Sequence, residues 1–97
     1  MDREKILKDA VREFGVYSQM FMCVEKMSEL TKAICKYHRA HGNDEIHASI
    51  DNMREEMADV QIMLNQMKIM FGDVEDIERT KLERLEKRME SAKGELM

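Results

Sequence analysis

The chain contains no proline and no tryptophan, and only four glycines and two cysteines among 97 residues. Without proline there is no rigid linker to divide it, so residues 1–97 read as one domain, the natural unit at this length. So few glycines leave no Gly-rich loop to cradle phosphates. Two cysteines cannot build the disulfide framework of a small secreted domain. Cys23 and Cys35 stand twelve residues apart in one predicted helix, about 18 Å along its axis and too far to bridge. Both read as reduced core thiols, mid-helix and without a paired base that would make either a nucleophile. No apolar run approaches the roughly 20 residues of a membrane span. Met1-Asp2-Arg3-Glu4-Lys5 lacks the apolar stretch of a signal peptide. Acidic residues outnumber basic ones by 20 to 16, a formal net charge of -4, whereas nucleic-acid binding needs a basic surface. These absences predict a soluble cytoplasmic protein with neither nucleic acid nor membrane as a partner.

What is present is helical. Charged residues make up 37% of the chain and apolar residues 43%, the mixture of amphipathic helices with solvated outer faces. Ile6, Leu7, Ala10, Val11 and Phe14 recur at helical spacing over residues 2–14, and Gly15 interrupts. A second helix is predicted over 16–39, with Met20, Val24, Met27, Leu30, Ile34 and Tyr37 as its stripe. His41-Gly42-Asn43-Asp44 signals a turn. A third helix is expected from a cap at Ser49 or Asp51, running to Phe71 with Gly72 as its stop. Asp73 or Asp76 opens a fourth, which uses Ile77, Leu82, Leu85, Met89 and Leu96 and has a densely charged outer face. The expected fold is all-α: a helical hairpin with flanking helices, its four-helix-bundle-like core completed by oligomerisation into a dimer or tetramer. Eleven methionines suit such a core or interface, since Met fills irregular gaps.

Two acidic clusters interrupt the apolar stripes. Glu25-Lys26-Met27-Ser28-Glu29-Leu30 lies in the second helix and Glu55-Glu56-Met57-Ala58-Asp59-Val60 in the third. Residues three or four apart share a helix face, so Glu25 points with Glu29 and Glu56 with Asp59. Glu29 and Asp59 are each about twelve residues from a turn near 42–48, so an antiparallel hairpin brings the clusters to similar height. Converging carboxylates repel, and a hard divalent cation relieves them; magnesium in such a site keeps positions open for phosphate oxygens. Single acid pairs at the same spacing carry little weight, because Asp73/Asp76, Glu75/Glu78 and Glu83/Glu86 also occur.

The residues Glu25 to Ala33 resemble the first motif, EExxE followed by Leu, of the MazG-like all-α nucleoside triphosphate pyrophosphohydrolases. Glu55 to Val60 followed by Ile62-Met63-Leu64 looks like that family's second motif, ExxD. The resemblance spans roughly residues 14–90, and the short single-domain form is similar to members encoded by phages. It implies magnesium-dependent cleavage of a (deoxy)nucleoside triphosphate between the α and β phosphates, giving a monophosphate and pyrophosphate. By position, it implies that Glu29, Glu56 and Asp59 hold magnesium. Glu25 stands beside them as ligand or water-orienting base, so Glu25 and Glu29 are the catalytic candidates. Lys81, Arg84 and Arg88 match the place of downstream phosphate-binding residues, and Gln19 that of residues entering the nucleobase pocket.

One position departs from the pattern. Lys26 stands where the family has a ligand Glu, and a protonated lysine has no lone pair to offer a metal. Glu25 could replace the missing ligand, Lys26 could contact phosphate, or the chain could bind a nucleotide without cleaving it. The last alternative is a binding module, of use to a phage against host defence. A plain helical bundle with surface acids is the third class. Cys35, His38, His41 and His47 fit no compact zinc finger, and the histidines read as exposed loop residues.

Overall fold

The computed structural model describes the backbone of residues 1–96 and the side chains of residues 1–94. The Leu96 side chain therefore lies outside the described residues. Four helices, α1 (Arg3–Phe14), α2 (Val16–Arg39), α3 (Asn43–Phe71) and α4 (Glu75–Leu96), account for the fold, and no strand occurs among the described residues. The chain is all-α, as its periodicity predicts. Asp2 caps α1 by accepting the Lys5 amide at 3.1 Å, filling one of the donors a helix start leaves free.

Each of the three joints between the helices contains one glycine in the same backbone conformation. Gly15, Gly42 and Gly72 have φ of 91°, 82° and 112° with ψ of 154°, 154° and 158°. This region is nearly closed to residues with a Cβ. Nothing lies within 4 Å of where a Cβ would sit at any of the three, so backbone torsion rather than crowding demands glycine.

The third helix begins six residues before Ser49. Ala40, His41 and Gly42 make the turn, and Asp44 and Glu45 fall in the first turn of α3, where the helix dipole favours acids. Ser49 is buried inside the helix and its hydroxyl donates to the Glu45 carbonyl at 2.8 Å, so it caps nothing. α4 starts at Glu75, between the two expected openings, with Asp73 accepting the Val74 amide at 2.7 Å.

α2 and α3 form the antiparallel hairpin, and α1 packs across both. α4 packs on none of the other three helices, so the four-helix packing expected of this sequence is not made within one chain. The core is small: Leu7, Cys23, Ala33, Val60 and Met63 are its buried apolar residues, beside buried Gln19, Ser49 and Gln66. The predicted stripe of α2 mostly faces away from α3, since Val24, Met27, Ile34 and Tyr37 are exposed. The side of α2 against α3 carries Gln19, Cys23, Lys26, Glu29 and Ala33 instead. Cys35 is exposed, so only Cys23 is a core thiol; its sulfhydryl sits 3.9 Å from the Met27 sulfur.

Candidate metal centre between α2 and α3

The register of the hairpin is fixed by two facing pairs. Lys26 Nζ approaches Asp59 Oδ2 at 3.8 Å, and one turn further along α2 the Glu29 carboxylate meets Glu56. Three residues forward on α2 correspond to three backward on α3, as antiparallel helices require. The height-matching expectation paired Glu29 with Asp59. The turn lies at 40–42 rather than 42–48, and the facing pairs are Glu29 with Glu56 and Lys26 with Asp59. Spacing of i,i+3 on both helices closes these four residues into one cluster.

Glu29, Glu56 and Asp59 each offer an oxygen, and the three oxygens lie within 4.8 Å of one another. Magnesium bonds oxygen at about 2.0–2.1 Å, which separates its ligands by roughly 2.9–4.2 Å. Small side-chain adjustments would therefore suffice for a shared cation. An all-oxygen set selects hard divalent cations as a class without choosing among them. It is the group of such residues found among the described ones; Cys35, His38, His41 and His47 form none.

Glu56 gives the fit an independent test. Its Oε2 is buried and has no hydrogen-bond partner. Burial pushes its carboxyl above the usual glutamate range, repulsion from Glu29 and Asp59 pushes it further, and Lys26 partly offsets this. While both carboxylates are ionised neither can donate to the other, so Oε2 stays orphaned; only a proton on one of the two would allow a bond between them. A buried carboxylate oxygen held at a cost, beside two more carboxylates, is the environment a cation relieves.

Lys26 occupies the fourth corner. Its Nζ lies 3.5 Å from Glu29 Oε2 and 3.8 Å from Asp59 Oδ2, with 28% of the side chain exposed. Attraction to Glu29 holds the ammonium above the ordinary lysine range, with Asp59 and Glu25 adding and desolvation opposing. Glu25 is exposed on the rim, close enough for its charge to act on Lys26.

The remaining sequence candidates fall elsewhere. Gln19 is buried on α2, ten residues before Glu29, about 15 Å along the axis. Lys81, Arg84 and Arg88 are exposed on α4, which packs on no other helix, so one chain does not bring them to the acids. The sequence reading missed Gln66, whose residue is 3% exposed and whose Oε1 is buried without a partner. Extending the hairpin register two turns beyond Lys26 and Asp59 puts Gln19 opposite Gln66. The signal was present, because Gln66 lies seven residues beyond Asp59 and three beyond buried Met63, on the inward face of α3.

No family model, curated protein or solved structure matches the chain. The functional reading therefore rests on the residues and their geometry.

Proposed function

We propose that the α2/α3 cluster binds a divalent cation, magnesium in the first instance. We further propose that the chain is a nucleotide pyrophosphohydrolase acting on a (deoxy)nucleoside triphosphate, as its resemblance to MazG-like enzymes suggests. The observation that carries this reading is the convergence of Glu29, Glu56 and Asp59, with one buried Glu56 oxygen unpartnered. These three carboxylates would hold the ion. When bound, it would neutralise charge on the phosphate oxygens and acidify an attacking water.

The protein's own groups supply the rest. Glu25, on the rim, accepts the proton of the attacking water. The water oxygen bonds to the α-phosphorus, the α-phosphorus–bridging-oxygen bond breaks, and pyrophosphate leaves with the bridging oxygen. With a cation held by the carboxylates, the Lys26 ammonium would be free to contact a phosphate oxygen.

One observation favours a second reading, in which the nucleotide is bound and not cleaved. Lys26 Nζ already neutralises part of the cluster, at 3.5 Å from Glu29 and 3.8 Å from Asp59, and so competes with the metal.

The deciding experiment measures pyrophosphate release from ribo- and deoxynucleoside triphosphates, with and without magnesium, on wild type and Lys26→Glu. Magnesium-dependent release by wild type is the expected result. Release by Lys26→Glu alone, with nucleotide raising the melting temperature of wild type, selects the binding reading. Neither turnover nor nucleotide stabilisation in either protein overturns both.

A further inference from the structure

The sulfur atoms of the chain gather in one place that the carboxylate cluster does not use. A cleft of ≈ 280 Å³ between α2 and α3 is lined by Cys23 and by three methionines, Met20, Met27 and Met67, with no charged residue and no histidine among its lining residues. Met20, Cys23 and Met27 recur at i, i+3 and i+7, so both methionines lie within about 60° of Cys23 around α2. Met67 faces them from α3. At the same pitch Met20 and Met27 lie about 160–180° around α2 from Glu29.

Two of these sulfurs are already in contact. Cys23 Sγ stands 3.9 Å from Met27 Sδ. A thiol is a weak donor and a thioether a weak acceptor, so the contact adds little as a hydrogen bond. Its separation is informative in another way. A thiolate bonds a closed-shell metal ion at about 2.3 Å, and two such bonds at tetrahedral to trigonal angles hold their sulfurs about 3.8–4.0 Å apart. Cys23 and Met27 stand at that spacing, and unbranched methionine side chains can bring further sulfurs to a shared ion without moving the backbone.

We propose that Cys23, Met20, Met27 and Met67 form a binding site for the soft monovalent cation Cu(I). The donor set selects this ion. Thioethers and a thiolate suit Cu(I), whereas the carboxylates of the other site suit hard cations. Zinc takes thiolate, imidazole and carboxylate ligands, and here a single cysteine stands among thioethers. An iron–sulfur cluster takes four cysteines or their histidine replacements. Cys23 binds as the thiolate and its proton passes to solvent; the thioethers carry none. Cys23 is 4% exposed and Met27 45%, so the ion enters past Met27 and ends on a thiolate shielded from water. The site is independent of the nucleotide reading.

The test is competition for Cu(I) against bicinchoninate under anaerobic, reducing conditions, with the full chain. Wild type should take up one ion per chain. Its X-ray absorption spectrum should show sulfur neighbours alone, at about 2.3 Å. Cys23→Ala should weaken uptake by at least about 100-fold and Met27→Leu by about tenfold or more, since even residues behind a metal's ligands are worth about 10–100-fold. Cys35→Ser should change nothing, because Cys35 lies outside the cleft. Should Cys23→Ala unfold, Met20→Leu with Met27→Leu, which keep the apolar volume, must still show the loss. Magnesium binding by these two methionine variants should equal that of wild type. A wild type that takes no copper from bicinchoninate overturns the proposal. Uptake indifferent to Cys23 and the methionines overturns it too, as does uptake lost in Cys35→Ser or an ion with nitrogen or oxygen neighbours.

Discussion

The acids of the hairpin and the acids of α4 have the same composition and the same local spacing, and opposite surroundings. Glu83/Glu86 on α4 stand three residues apart, like Glu56/Asp59 on α3. The α4 pair is exposed, on a helix that packs against nothing. The α3 pair is half-buried against α2, which brings a third carboxylate and a lysine to it. Charge density along one helix is therefore uninformative about a site. What separates the two regions is a second helix presenting acids in antiparallel register, so that charges which water would screen on α4 are forced to interact.

The largest difference should appear in catalysis. Glu56→Gln or Asp59→Asn should lower magnesium-dependent pyrophosphate release by at least about 100-fold, since even groups behind a metal's ligands are worth about 10–100-fold. Helical content by circular dichroism should be unchanged. Glu83→Gln and Glu86→Gln should alter release by less than about twofold. Equal effects in both regions would dissolve the contrast.

Next in size is Lys26→Glu. Replacing an ammonium between Glu29 and Asp59 with a carboxylate should tighten divalent-cation binding by about tenfold or more, read by calorimetry. It should also lower the melting temperature measured in chelator. Weaker metal binding in this variant would show that Lys26 does not compete for the cluster.

A pH series sharpens the comparison further. The Glu56 carboxyl is held above its usual range by burial, so its folded-state pKa exceeds its unfolded one. The cost of ionising it is absent below the ordinary glutamate pKa of about 4.3 and appears as pH rises through the folded value. In chelator, Glu56→Gln should therefore melt higher than wild type at neutral pH, and the two curves should meet near pH 4. The same substitution on α4, at Glu86, should shift neither end of the series.

The smallest effect concerns the orphaned amide. Gln66→Leu removes a buried acceptor without a donor and should stabilise the protein by about 1 kcal/mol, raising the melting temperature by about 4–8 °C. Destabilisation would mean that the Gln66 amide has a partner in the folded protein.

The helices were legible because glycine punctuates them: Gly15, Gly42 and Gly72 each mark a joint within one or two residues. The start of α3 was not, because Ser49 looks like a cap and only the torsion at Gly42 shows that the helix is already under way. The acids that meet were identified in the sequence, yet their pairing was not, since it depends on where the turn falls to within two or three residues. The inward side of α2 was misjudged for a related reason. Hydropathy marks the Val24–Met27 side as the one to bury, and within a single chain it is the side left uncovered. The contrary placement of Gln19 and Lys26 against α3 leaves no local trace, because inward-facing polar groups are tolerated only through partners that lie on another helix.

The fourth corner of the cluster has a consequence for stoichiometry. Glu29, Glu56 and Asp59 together carry three negative charges when ionised, and Lys26 returns one positive charge at 3.5 and 3.8 Å from its nearest partners. With Lys26 in this place the four residues sum to two negative charges, equal and opposite to one divalent ion. With a glutamate at position 26 the same four residues would sum to four negatives, the complement of two such ions. Under the proposed function, counting bound ions per chain in wild type and Lys26→Glu would read whether this change of charge changes how many the hairpin holds.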